Sequence, residues 1–180
     1  MMASKIILAN NAMMGKSPAR ILTDANASIC KHNREEMFVT VWLGILEIST
    51  GRLTCANAGH EYPAIRKADG AFELYKDTHG FVMGGLAFMK YKEYELRLEP
   101  GSRLFLYTDG VPEATDASKQ LFGPDRMLDA LNRDPGASPE AILKNVRADV
   151  DGFVKDAEQF DDLTMLCLEY RGAASKVETA

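Results

Sequence analysis

The chain has 180 residues, with 21 Lys and Arg against 26 Asp and Glu and a formal net charge of −5. Hydrophobic residues make up 46% and charged residues 26%, a balance that suits one globular domain with a sizeable core. The acidic surplus and the lack of a basic stripe exclude a nucleic-acid binder of the usual kind. No apolar run approaches the about 20 residues a membrane helix needs, and the N-terminus lacks a secretory pattern. Three cysteines without CxxC spacing, Cys30, Cys55 and Cys167, read as reduced thiols of a cytoplasmic protein.

Residues 2–14 are rich in helix formers, and Gly15 supplies a helix end. Ser17-Pro18 opens a second helix as N-cap and first helical residue, with Ile21, Leu22, Ala25 and Ile29 at helical spacing. The pattern then changes to β-branched and aromatic residues. Residues 37–48 predict a long, well-buried strand, and 52–57 a second one returning across Ser49-Thr50-Gly51. Residues 63–67 and 71–75 flank Ala68-Asp69-Gly70 as a second hairpin. Residues 76–90, with Gly80, Gly84 and Gly85, predict a flexible connection. Residues 91–98 alternate as a strand, and 102–108 form a strongly apolar one. Helices are expected at 124–132 and 138–156, the second opened by Ser138-Pro139-Glu140. Residues 163–170 close the fold as a last strand, and 171–180 form a flexible tail. Hairpins with helices at the two ends of the chain imply an α+β layering of helices on antiparallel sheet.

Carboxylates stand at two unusual places. Thr108-Asp109-Gly110 ends the apolar strand, where a carboxylate is held on a rigid element and the glycine admits close backbone approach. Asp161-Asp162 directly precedes the last strand, and adjacent carboxylates repel unless a cation or donors offset them. Hard ions such as Mg²⁺ and Mn²⁺ prefer oxygen ligands of this type. The alternative for each phrase is an ordinary turn or a solvated loop. No HxH, HExxH, GxSxG, P-loop or GxGxxG pattern occurs. His60, in the phrase Asn57-Ala58-Gly59-His60, has no neighbouring ligand type, so a turn held by Asn57 and His60 is expected rather than a metal ligand.

Three ordered phrases resemble one family: Phe38–Gly44 running to Ala56-Asn57-Ala58-Gly59-His60-Glu61-Tyr62-Pro63; Leu106-Tyr107-Thr108-Asp109-Gly110-Val111-Pro112-Glu113-Ala114; and Gln159-Phe160-Asp161-Asp162-Leu163-Thr164. Together they resemble the SpoIIE/RsbU branch of the bacterial PPM metal-dependent serine/threonine phosphatases, over essentially residues 1–170. The resemblance implies an αββα sandwich of antiparallel sheets with helices outside and two Mn²⁺ or Mg²⁺ ions at one edge. It implies that Asp109 and Asp161 are metal ligands and lie close in space. Asp162, Gly110, Thr108, Asn57 and His60 are then outer or substrate-adjacent residues. It also implies hydrolysis of phosphoserine or phosphothreonine on a regulatory protein of the anti-anti-sigma (STAS) type, in signal transduction governing sigma factors. The family's upstream GDFYD-like and DxSGKG-like phrases have no counterpart here, and residues 1–5 resemble the middle of its first long helix. The expectation is therefore an N-terminally truncated fold, the C-terminal portion of a phosphatase domain, with an exposed sheet edge open to homodimer formation. The alternative is a non-catalytic partner-binding regulatory module or an inactive fragment of such a phosphatase.

Overall fold

The computed structural model describes residues 2–33, 37–155, 157 and 161–173. The chain divides into two units, Met1–His60 with Asp77–Arg97, and Glu61–Lys76 with Leu98–Ala180.

In the first unit α1 (Met2–Ala12) and α2 (Pro18–His32) precede a three-stranded antiparallel sheet. Its order is β1 (Val41–Glu47), β2 (Arg52–Ala58), β5 (Glu93–Arg97). Gly15 ends α1 with φ +68°, a conformation glycine adopts without a Cβ penalty. Ser17 has the extended backbone of an N-cap but makes no side-chain cap bond, and Pro18 supplies the start. Leu22 and Ala25 of α2 bury against Ala56, Ala58 and Met83, joined by Val41 and Leu43 from β1. This apolar layer is one face of the sheet. The other face carries Trp42, Cys55, Asn57 and Tyr94, because side chains alternate along paired strands.

Two expectations change here. The long buried strand over 37–48 is the shorter β1, and its seven residues are half-buried or exposed. The reason is its place at the sheet edge, where one flank lacks a neighbour. Met37 and Phe38 are exposed, while Val39 leaves the sheet to exchange two 2.9 Å backbone bonds with Met83. The glycine-rich connection is anchored rather than loose. Met83 is fully buried, and Gly80 N–H donates to the Asn57 carbonyl at 2.9 Å. Fully buried Asn26 of α2 donates to Leu86 O at 2.8 Å and accepts from Gly84 N–H at 2.9 Å. Asn33 adds a bond to Gly84 O at 3.1 Å.

The second unit is a four-stranded antiparallel sheet, β4 (Phe72–Leu74), β3 (Ala64–Arg66), β6 (Arg103–Tyr107), β7 (Met165–Glu169), with α3 (Gly123–Arg133) and α4 (Pro139–Val154). Phe105 and Tyr107 of β6 pack with Phe72, Met127, Leu131, Ile142 and Val146. Ser138 caps α4 through its side chain, which accepts from Ala141 N–H. The helix stops at Val154 rather than 156, where Lys155 has φ +52°. Asp156 lies outside the described residues, as do residues 34–36, 158–160 and 174–180. The start of the Gln159-Phe160 phrase and most of the expected tail therefore fall there too.

Two side chains tie the helices of this unit to the sheet. Asn132 of α3 accepts from Phe72 N–H at 2.7 Å and donates to Phe72 O at 3.0 Å. Buried Arg103 donates to the Pro135 and Gly136 carbonyls in the α3–α4 connection. The three cysteines are free thiols. Among the described residues no helix is long and apolar enough to cross a membrane.

Asn26 offers a direct test of the anchored connection. Asn26→Ala leaves Gly84 N–H without its acceptor and should cost about 1–3 kcal/mol, read by chemical denaturation. Hydrogen exchange at Gly84 should quicken, while Phe105 stays protected.

Candidate functional site

Strands β6 and β7 are antiparallel, with Tyr107 opposite Met165. The end of β6 therefore lies against the beginning of β7, and the phrases on either side of that boundary must meet. Thr108 N–H donates to Thr164 O at 3.0 Å, extending the ladder by one residue. The Thr108 hydroxyl donates to Asp162 O at 3.1 Å and accepts from Thr164 N–H at 3.2 Å. Gly110 is buried, and a Cβ there would stand 2.5 Å from Asp162 O. No side chain fits that space without moving backbone. After Gly110 the chain turns, with Val111 N–H to Thr108 O at 3.0 Å and Glu113 N–H to Asp109 O at 2.9 Å.

Asp109, Asp161 and Asp162 are exposed on this joint. One oxygen of Asp109 accepts from Gly110 N–H at 3.0 Å, and one of Asp161 accepts from Asp162 N–H at 2.7 Å. Each carboxylate is thus oriented by the next backbone N–H. Asp162 contributes to the joint through its carbonyl. Tested against a two-ion site, these donors are a partial set. Among the described residues no three His, Cys, Asp or Glu come together as metal ligands, whereas a hard divalent ion takes about six oxygens.

Asn57 and His60 stand in the first unit. His60 N–H donates to Asn57 Oδ1 at 2.8 Å, and Asn57 Nδ2 donates to His60 O at 3.0 Å. The expected turn is closed at both ends by one amide, and Gly59 takes φ +71° within it. Asn57 Nδ2 also reaches the Asp77 carboxyl at 3.2 Å. The Asp77 side chain is fully buried, with His79 Nδ1 3.2 Å away. The Tyr94 hydroxyl bonds Asp77 and accepts from Trp42 Nε1 at 2.9 Å. Burial pushes the Tyr94 hydroxyl far above its ordinary range, and burial with the nearby Asp77 charge pushes the Cys55 thiol up to about 12. Sequence reasoning did not single out Asp77. A lone Asp in a polar loop has no period and no motif, and only the fold gives it partners.

Comparison with known proteins bears on the family and the fold. The family described as Stage II sporulation protein E (SpoIIE) matches residues 1–171. Protein IcfG of Synechocystis sp. is 33% identical over 138 residues, 77% of this chain and 22% of IcfG. Phosphoserine phosphatase RsbU of Bacillus subtilis is 26% identical over 158 residues, 86% of this chain and 45% of RsbU. The chain spans less than half the length of either relative. The SiaA-PP2C domain of Pseudomonas aeruginosa superposes with a TM-score of 0.81 at 18% identity, over 94% of this chain and 68% of that one. That likeness carries the fold.

Gly110→Ala should destabilise the protein by about 1–3 kcal/mol, the cost of forcing atoms into filled space. Thr108→Val should cost about 1–2 kcal/mol through its two lost bonds, and Thr108→Ser should restore most of it; denaturation midpoints read all three. A second expectation concerns alkaline pH. The folded Cys55 thiol titrates above its ordinary value of 9.0, so its contribution is complete below pH 9 and is lost as pH rises toward 12. Between about pH 9 and 11 the wild type should lose more stability than Cys55→Ala, by up to about 1.4 kcal/mol per pH unit.

Proposed function

Because the chain belongs to the Stage II sporulation protein E (SpoIIE) family, we propose that residues 1–170 are the C-terminal portion of a PPM-type serine/threonine phosphatase domain. The observation that carries this reading is the joint between Thr108-Asp109-Gly110 and Asp161-Asp162. It sets carboxylates on the joined ends of two paired strands, buried β6 and half-buried β7, with Gly110 N–H and Asp162 N–H orienting Asp109 and Asp161. Asp109 and Asp161 are this chain's share of the ligands for Mn²⁺ or Mg²⁺. Thr108 and Gly110 hold the two phrases together, and Asn57 and His60 act on the substrate side. Ions of this kind lower the pKa of bound water; the carboxylates here supply only part of their coordination. The substrate is a regulatory phosphoprotein of the STAS type in the cytoplasm, as befits a chain similar to a phosphoserine phosphatase.

The partial donor set also favours a second reading. A chain without a group of three metal-ligating side chains among its described residues suits a regulatory module that keeps the fold and binds its partner without catalysis.

Activity measurements separate the two. With Mn²⁺ the 180-residue chain should hydrolyse an aryl phosphate or a phosphoprotein poorly or not at all. A longer chain adding the family's upstream aspartate phrases should be active. In it Asp109→Asn or Asp161→Asn should lower kcat by at least about 100-fold, beyond the usual cost of an outer partner of a metal ligand. An unaffected Asp109→Asn protein would reject the metal-ligand assignment. An inactive longer chain that still binds the phosphoprotein would establish the second reading.

A further inference from the structure

The buried carboxyl of Asp77 is an expensive feature that the metal-binding phrases do not use. Desolvating a carboxylate costs several kcal/mol unless donors surround it. Holding residues 77–90 in place does not require it, since Gly80 N–H already bonds the Asn57 carbonyl and Met83 exchanges two bonds with Val39. What the carboxyl organises is a directional set of side-chain bonds. Trp42 Nε1 donates to the Tyr94 oxygen at 2.9 Å. The Asp77 carboxyl faces the same Tyr94 hydroxyl. From the other side Asn57 Nδ2 donates to the Asp77 oxygens at 3.2 and 3.5 Å. His79 Nδ1 stands 3.2 Å from Asp77 Oδ1. The neighbouring Cys55 is buried beside this set. An amide side chain can flip between two orientations, exchanging its donor and acceptor ends. Acceptance by Asp77 fixes which end of Asn57 points where. That leaves Asn57 Oδ1 to take His60 N–H at 2.8 Å and Nδ2 to hold His60 O.

We propose that Asp77 is a positioning residue for the His60 turn: as the common acceptor it fixes the Asn57 amide, and through it the backbone that presents His60 to the phosphoprotein substrate. The proposal rests on the phosphatase reading for its consequence in turnover, while its geometric content stands apart from it. Asp77→Asn preserves size but places an NH₂ group where two donors already point. The turn should then be released while the sheet survives.

The test has two arms. In the 180-residue chain, NMR follows the His60 backbone amide, the Asn57 side-chain amide and the indole N–H of Trp42, the sole tryptophan. Asp77→Asn should move all three resonances and leave Phe105 in place. If Asp77→Asn fails to fold, Tyr94→Phe keeps the test: removal of the hydroxyl should move the Asn57 and His60 resonances through Asp77. Unmoved Asn57 and His60 resonances in a folded variant would overturn the proposal. The second arm uses the longer, Mn²⁺-loaded chain. There Asp77→Asn should raise KM for the phosphoprotein roughly tenfold, about the loss of one hydrogen bond to a charged group, with kcat little changed. A fall in kcat with KM unchanged would overturn it. If the wild-type longer chain is inactive while the resonances move as expected, the phosphatase reading fails and the hold of Asp77 on the turn is upheld.

Discussion

The antiparallel register of β6 with β7 decides where the chain's two acidic phrases sit. Tyr107 pairs with Met165, so whatever follows β6 must meet whatever precedes β7. Two phrases that α3 and α4 separate along the chain become neighbours by the geometry of one ladder. The hydrophobic core enforces that register, because a slip by one residue would turn Phe105 and Tyr107 away from Met127 and Leu131. Burial of these aromatics thus fixes the address of Asp109. Thr108 then welds the joint, its hydroxyl acting once as donor and once as acceptor.

The elements most legible in the sequence were those with a strong period or a committed turn. Gly15, Gly51 and the Ser138-Pro139 start each stand where local chemistry leaves few options. The two hairpins follow from β-branched and apolar runs flanking short polar turns. The length and burial of β1 were less legible, because Met37 and Phe38 are as apolar as the strand they precede. Composition does not tell an edge strand from a central one; that depends on which neighbours the fold supplies. The anchoring of the glycine-rich connection is illegible for a related reason. Glycine suggests freedom, whereas Gly80 and Gly84 mark places where a side chain or other backbone approaches closely. The anchor is Asn26, a polar residue on an otherwise apolar helix stripe, whose importance appears only once Gly84 and Leu86 lie against it.

The candidate site divides in the same way. Asp109, Gly110 and Asp161 carry a motif, and the chain matches the SpoIIE family along residues 1–171. Asp77 carries none. Its role arises from convergence: Trp42, Asn57 and Tyr94 come from three different strands, and their spacing in the sequence reflects the elements and connections between those strands rather than function. Networks of this type are invisible to local reading because each member alone is an ordinary polar residue of a strand or loop.

The contact between Asn132 and Phe72 bears on colloidal behaviour. Strand β4 is the outer strand of its sheet, and such strands template the addition of foreign β-structure. By occupying both the N–H and the C=O of Phe72, the Asn132 amide mimics the peptide group of a fifth strand. A polypeptide approaching that flank meets the Phe72 peptide groups already paired, by one helix side chain. The covering of β4 at Phe72 is therefore encoded in α3, far from the strand in sequence, where a scan for sticky segments would not look.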